Sequence, residues 1–451
     1  MDPSFLIKPS LDAQYPLIDY GKGVFLYDKQ GKKYLDACSG AITANIGHGV
    51  EEIIEAMNEQ AKKVSFVYRS QFTSEAAENL ARKIAENSIG DLKWCFFVNS
   101  GSEATETAMK IAIQYWQEKG KQTKTKVLSR WLSYHGITLG ALSMSGHTAR
   151  RARFVPLLED FPTIHPPYCY RCPYNLTAPE CGYLCAKELE TAIRRIGADH
   201  IAAFIAEPVI GAAGGAISPP EGYYKVIKEI CEKNDILFIA DEVMTGFGRT
   251  GKMFACEHWG IIPDLIALGK GMGAGYTPIA AALVSEKIIK TIVNGSKMIM
   301  SGHTLSANPH SCAVSLSVLE YIEKNKLIEG VEQKSIYLFK KLKKLQNKYP
   351  FIGDVRGKGL LIGLEFVQDS QKTPFPRTTR LIQSLIEIAQ EHGLLLYPAA
   401  AGTDGINGDA ILIAPPLTIT KQEIDELVSL LQTSLELLDQ EVLEPRKEGG
   451  V

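Results

Sequence analysis

Two short, uninterrupted apolar runs constrain the fold of this chain more than any other feature. Ile236–Ala240 and Leu265–Leu268 hold no polar residue. The first ends on Asp241, the second on Gly269-Lys270-Gly271, and a Gly-rich loop, Thr245–Gly251, lies between them. Runs of this kind read as buried strands, and in an open α/β sheet the carboxyl ends of such strands carry the chemistry. The same grammar stands just upstream. An apolar run over residues 201–206 reaches Glu207-Pro208, glycines spread from Gly211 to Gly215, and Pro219-Pro220 opens a helical stretch with Tyr223, Val226, Ile227 and Ile230 on one side. Alternating strand and helix implies a mostly parallel sheet.

One acid and one lysine thus stand at two neighbouring strand ends. A lysine in a confined site can hold an aldehyde as a Schiff base. Pyridoxal phosphate (PLP) is such an aldehyde, and its ring nitrogen needs an anionic partner. Either residue alone reads equally as a turn lysine or a helix-capping aspartate. The pair, with glycines that let a bulky cofactor approach the backbone, points to PLP. A seat for its phosphate is legible in Phe96–Trp116. There an apolar strand runs into Asn99-Ser100-Gly101-Ser102, and a helix is expected from about Glu103, with Ala104, Ala108, Ile111, Ala112 and Tyr115 at helical spacing. Ser100 and Glu103 have capping-box spacing, and the free N–H groups of a helix start suit an anion.

With these motifs in hand, DEVMTGFGRTG followed by PDLIALGKGMGAGYTPIAA closely resembles the signature of the class III, ω-type PLP-dependent aminotransferases. The similarity extends from GKGVFLYDKQGKKYLDACSG (Gly21–Gly40) to IAPPLTIT (Ile413–Thr420). The resemblance implies the α/β fold type I of PLP-dependent transferases, a large domain with a mostly parallel central sheet plus a smaller α+β C-terminal domain. It makes Lys270 the Schiff-base lysine and the acid–base catalyst, and Asp241 the partner of the ring nitrogen. Gly101 and Ser102 become phosphate contacts. Tyr134, in Tyr134-His135-Gly136 after a strand at Val127–Arg130, becomes the residue stacked on the pyridine ring, with Val243 on the opposite face. Taken alone, that tripeptide says little, and a half-buried loop histidine is the plain expectation. Glu207 is placed near the cofactor, where a structural salt bridge is the plainer reading. Thr304 matches a threonine that reaches across a dimer interface to the partner's phosphate, which implies a homodimer with shared active sites and leaves tetramers open.

The implied reaction is a ping-pong transfer of an amino group from an ω-amino acid or amine to a 2-oxo acid, pyruvate favoured and 2-oxoglutarate the other candidate. An aminomutase, decarboxylase or racemase of the same fold would share the lysine. A non-catalytic PLP-fold scaffold or a metal-binding module is the reading from another class, and intact Lys270, Asp241, Gly101 and Ser102 count against it. The chain departs from the family where substrate carboxylates are bound. Tyr397 stands where one common arginine would be, and Leu412 where ornithine-type members carry theirs. Arg69 or an arginine among Arg150, Arg151 and Arg153 is the expected substitute, although that cluster also reads as a solvated access-loop feature. The Gly-rich loop Ala399–Asp409 is expected to shape the pocket.

Cys169, Cys172, Cys181 and Cys185 fall within the proline-rich stretch His147–Cys185. Four sulfurs could fit zinc or an iron–sulfur cluster. Transamination needs neither, so reduced thiols and no metal are expected. The 451 residues suffice for two large cores, divided here as an N-terminal arm and hairpin (1–55), a PLP-binding domain (56–315) and a small domain (316–451). Residues 1–20 read as an arm lying on another surface, and a hairpin is expected around Lys29-Gln30-Gly31. Helical spacing marks Ile53–Val64 and Ala76–Ile84, and an amphipathic last helix spans Thr420–Leu443, beyond which the tail should fray. A formal charge of −2 argues against nucleic-acid or membrane-surface partners. No apolar run is long enough to cross a bilayer and no signal peptide is read, so the cytoplasm is the default location. Nine cysteines, an odd number, argue against a disulfide framework.

Overall fold

Strands β1 (Ile18–Lys22), β2 (Phe25–Asp28) and β3 (Lys33–Asp36) pair in sequence as an antiparallel meander. The hairpin expected at Lys29–Gly31 joins β2 to β3, and the Asp28 carboxylate accepts from the Gln30 and Lys32 amides to fix the turn. The structure is a computed structural model that describes residues 5–11 and 13–444. The tail beyond Glu444, expected to fray, and the first four residues of the arm lie outside the described residues.

Seven strands follow and form the central sheet: β4 (Leu92–Val98), β5 (Lys126–Arg130), β6 (Thr163–Ile164), β7 (Ile201–Ala206), β8 (Leu237–Asp241), β9 (Leu265–Leu268) and β10 (Ala280–Ser285). Their order is β4-β10-β9-β8-β7-β5-β6. Only β10 runs against the others, being antiparallel to both β4 and β9, so the sheet is mostly parallel, as the sequence implies. The antiparallel strand also turns β4 back into line with β9. The carboxyl ends of β4, β5, β7, β8 and β9 therefore share one edge of the sheet.

Both faces of this sheet are buried, which explains the unbroken apolar runs. Successive side chains point to opposite faces. Phe204, Phe238, Ala240, Ile266 and Leu283 join one apolar cluster, whereas Ala203, Ile205, Leu237, Ile239 and Val284 join another. The first face is covered by helices Leu184–Ile196 and Tyr223–Lys233, and the second by Gly101–Glu118 and Glu286–Asn294. Trp116 anchors the longest of these, donating from Nε1 to the Ala202 carbonyl at 2.8 Å. The helix expected at Pro219-Pro220 begins three residues later, because Gly222 adopts a left-handed conformation (φ +89°) and turns the chain first.

After the helix Pro309–Lys324 the chain builds β11 (Ile352–Lys358), β12 (Leu361–Phe366), β13 (Leu394–Leu395), β14 (Tyr397–Ala400) and β15 (Asp409–Ile413). Four of these form an antiparallel sheet in the order β11-β12-β15-β14, while β13 pairs in parallel with β3. Helices Leu327–Lys348, Leu381–Glu391 and Lys421–Leu438 pack on this part through Leu338, Leu342, Leu385, Leu427 and Leu431. The last of them carries a full capping box between Thr420 and Glu423. Arg249 stitches the halves together. Fully buried in the Gly-rich loop, it donates to the carbonyls of Leu360 and Pro415 at 3.1 and 2.6 Å and to Asn45 Oδ1 at 2.8 Å.

Candidate active site

A cavity of about 290 Å³ opens at the shared strand edge. Gly101, Ser102, Tyr134, Glu207, Asp241, Val243 and Lys270 all line it, so seven of the eight site residues expected from the sequence converge on one space. Thr304 does not. It is exposed in the segment before the helix Pro309–Lys324.

Each of these seven lies at a strand end or within a few residues after one. Asp241 closes β8 and is 4% exposed. Lys270 follows β9 after one glycine and holds a left-handed backbone (φ +44°), a strained conformation for a lysine that the packing around it must enforce. Its Nζ donates to the Ala41 carbonyl at 2.6 Å. Burial, opposed by Asp241 and assisted by Arg150 and Arg249, brings the Lys270 amine down to about 8.

The helix after β4 starts at Gly101, two residues before the expected Glu103, because Ser100 caps it and accepts from the Glu103 amide at 3.3 Å. Glu103 reaches back one residue further than a capping box requires, to the Asn99 amide at 2.8 Å. The turn is tight. A Cβ on Gly101 would lie 2.9 Å from Val243 Cγ1, and one on Gly136 (φ +134°) would lie 2.5 Å from Ser102 Oγ. A confined helix N-terminus of this kind can seat a phosphate. With a buried carboxylate and a lysine of lowered pKa facing the same cavity, the residues present fit PLP.

Glu207, just past β7, serves two purposes. Its Oε1 accepts from the Tyr134 amide at 2.8 Å, and its Oε2 is 3.2 Å from the guanidinium of the fully buried Arg130. The structural salt bridge and the place at the cavity are thus both present. His135 departs from expectation. It is not half-buried but 2% exposed, and its Nδ1 donates to Asp241 Oδ2 at 2.7 Å. Its Nε2 has no hydrogen-bond partner among the described residues and stands 3.9 Å from Glu207 Oε2. No spacing in the sequence links positions 135 and 241; only the sheet brings them together.

Of the candidate arginines, Arg150 alone lines the cavity, its guanidinium 4.8 Å from the centre of the Tyr134 ring. Arg151 turns inward and donates to the carbonyls of Leu142, Ser143 and Ser145, so it is not a solvated residue. Arg69 lies away from the cavity, bound to the Ser301 carbonyl at 2.7 Å. Tyr397 does line it, whereas Leu412 is wholly buried in an apolar cluster with Ile42 and Val209. The four cysteines of residues 169–185 face a separate crevice of about 20 Å³. Among the described residues no three His, Cys, Asp or Glu side chains stand where they could share a metal ion. Burial pushes the Cys185 thiol up to about 12, away from the thiolate form.

Comparison with known proteins agrees with this geometry. The family model for class III aminotransferases matches residues 9–435. The chain is 55% identical to the uncharacterized aminotransferase YodT of Bacillus subtilis, over 96% of this chain and 97% of that protein. It is 35% identical to the putrescine–pyruvate aminotransferase of Pseudomonas aeruginosa, over 93% and 90%. Among solved structures, the (S)-enantioselective omega-transaminase from Thermomicrobium roseum superimposes with a TM-score of 0.88 at 38% identity, covering 94% of this chain and 93% of that one. An acid and a lysine at the ends of β8 and β9, in a fold shared with transaminases over nearly its whole length, make this chain a PLP-dependent enzyme of the class III aminotransferase family.

Proposed function

We propose that the enzyme transfers an amino group from an amine or ω-amino acid to a 2-oxo acid, with pyruvate favoured over 2-oxoglutarate as acceptor. The observation that carries the donor side is the shape of the site. The reaction cavity adjoins a second cavity of about 520 Å³, with which it shares His147, Arg150, Ala212 and Tyr397, so there is space beside it for a donor that extends beyond the reacting amine. The replacement of both family arginines, by Tyr397 and Leu412, supports a donor without a carboxylate beside the reacting carbon. The pyruvate named for the Pseudomonas relative supports the acceptor.

Bound PLP would supply the electron sink for cleavage of a bond at the amine-bearing carbon. In this reading Gly101 and Ser102, at the helix start, would hold the phosphate, and Tyr134 and Val243 would flank the ring. Asp241, held in orientation by His135, would keep the ring nitrogen protonated. Lys270 would anchor the cofactor and, once released, would hold and move a proton at Nζ, a task suited to an amine whose pKa lies near neutrality. Glu207 fixes the Tyr134 backbone. Thr304 serves the partner's site in a homodimer, and the exposed apolar residues Phe5 (95%), Ile7 (87%) and Leu11 (82%) of the arm support such a partner surface. The division into residues 1–55, 56–315 and 316–451 belongs to the same proposal, and the β13–β3 pairing supports grouping the first of these with the last.

The test is a panel of ω-amines and ω-amino acids given to the PLP-loaded enzyme without any oxo acid, followed by pyruvate or 2-oxoglutarate. Loss of the visible absorbance band with the amine, and its return with pyruvate together with formation of alanine, is the expected result. A band that no amine in the panel alters would overturn the donor assignment.

A further inference from the structure

The outer cavity of about 520 Å³ has a charge as well as a size. It shares His147, Arg150, Ala212 and Tyr397 with the reaction cavity and adds Arg377 and Arg380, which do not line the reaction cavity. Three arginines from two distant stretches of chain therefore line one space, Arg377 and Arg380 as solvent-exposed side chains. Arg150 comes from the short helix Thr148–Arg151, and Arg377 and Arg380 from the turn that opens the helix Leu381–Glu391. Arg150 and Arg377 have no carboxylate within 4.0 Å among the described residues, and Arg380 has only the exposed Glu387 at 3.8 Å. Asp409 is the single carboxylate among the described lining residues. Burial raises its pKa to about 6, and none of the three arginines is within 4.0 Å of its carboxylate. Arg150 and Arg377, without a carboxylate partner among the described residues, are matched by carboxylate or phosphate oxygens, which a guanidinium binds through two parallel hydrogen bonds.

We propose that the outer cavity is an anion subsite: the amino substrate extends past Arg150 and Tyr397, which line both cavities, and ends in a carboxylate or phosphate group held by Arg377 and Arg380. A small acceptor such as pyruvate would leave most of this space empty, so the subsite belongs to the donor. The proposal rests on the aminotransferase reading above and deepens its donor class, from any ω-amine to an extended amine with an anionic far end.

The test compares three donors of similar length with the PLP-loaded enzyme: hexylamine, 6-aminohexanoate and 5-aminopentyl phosphate. At least a tenfold preference in kcat/KM for one or both anionic donors over hexylamine is expected, and the better of the two identifies the natural anion. The variant R377Q/R380Q should reduce that preference at least tenfold through KM, and R377Q, which breaks no ion pair, should reduce it in part. Titration calorimetry with hexanoate and hexyl phosphate, which carry no amine, gives a second readout. Binding by the wild type and loss of binding in a folded R377Q/R380Q variant would uphold the subsite even if none of the donors reacted. Donors that react without preference, together with no binding of either amine-free anion, would overturn the subsite and leave the transamination reading intact.

Discussion

His135 donates to Asp241 across 2.7 Å, with both side chains buried. Beyond this contact, Asp241 accepts from the Val243 amide at 3.1 Å through its other oxygen. His135 is in turn flanked by Glu207 and, behind it, Arg130. The carboxylate at the end of β8 is therefore one member of a buried chain of alternating acid and base, and its direction is set by a neighbour that does not depend on bound cofactor.

Replacing His135 with phenylalanine fills its space but removes the donor. Loss of a hydrogen bond to a buried charged group costs about 1.5–3 kcal/mol. His135→Phe should lower stability by that amount in denaturant titration and weaken PLP retention on dialysis, whereas His135→Asn should recover part of both. Unchanged retention in a stable His135→Phe protein would mean that Asp241 is positioned without its neighbour.

Gly136→Ala tests the seat at the helix start. Its Cβ would meet Ser102 Oγ at 2.5 Å and Ala141 Cβ at 2.7 Å, in a backbone conformation that disfavours any side chain. Overpacking of this kind costs about 1–3 kcal/mol. The expected result is a larger loss of PLP affinity than of global stability, measured by cofactor titration alongside thermal melting.

Lys270 makes a prediction about pH. In the folded, cofactor-free protein its amine titrates at about 8, below the ordinary value of 10.5. Between those values the unfolded chain binds the proton more readily, so this group adds stability as pH rises from about 8 to 10.5 and costs stability below that window. Cofactor-free Lys270→Met should therefore exceed the wild type in stability most clearly at neutral pH, with the difference narrowing as pH rises. Matched melting curves at pH 7 and pH 10 check the sign.

Arg249 spans acceptors from three separate stretches, and burial holds its pKa down to about 9. A lysine is a compact point charge and cannot reach all three. Arg249→Lys should leave at least one acceptor unsatisfied and lower stability by about 1–3 kcal/mol, measured by chemical denaturation.

Much of the site could be read from the chain because strand ends announce themselves locally. Ile236–Ala240 and Leu265–Leu268 are apolar on both faces, and the first charged residue after each run, Asp241 and Lys270, lines the cavity at the sheet edge. Gly101 and Ser102 were legible for a similar reason, since helix-start chemistry is confined to a few neighbouring positions. His135 was not, because its partner is 106 residues away and the contact exists only once β5 and β8 flank β7 in one sheet. The place of Arg150 was equally hidden. Three arginines within four residues look alike in sequence, yet Arg151 points into carbonyl groups while Arg150 faces the cavity. The outer cavity required Arg377, more than two hundred residues from Arg150, to be folded opposite it.

The most direct test of the central claim is a single-turnover experiment with an ω-amine and no oxo acid. The PLP-loaded wild-type enzyme should release about one equivalent of carbonyl product per site and stop, and pyruvate should restart it, while Lys270→Ala should do neither at a comparable rate. Continuous turnover of the amine without an oxo acid, or equal turnover by Lys270→Ala, would contradict transamination through Lys270.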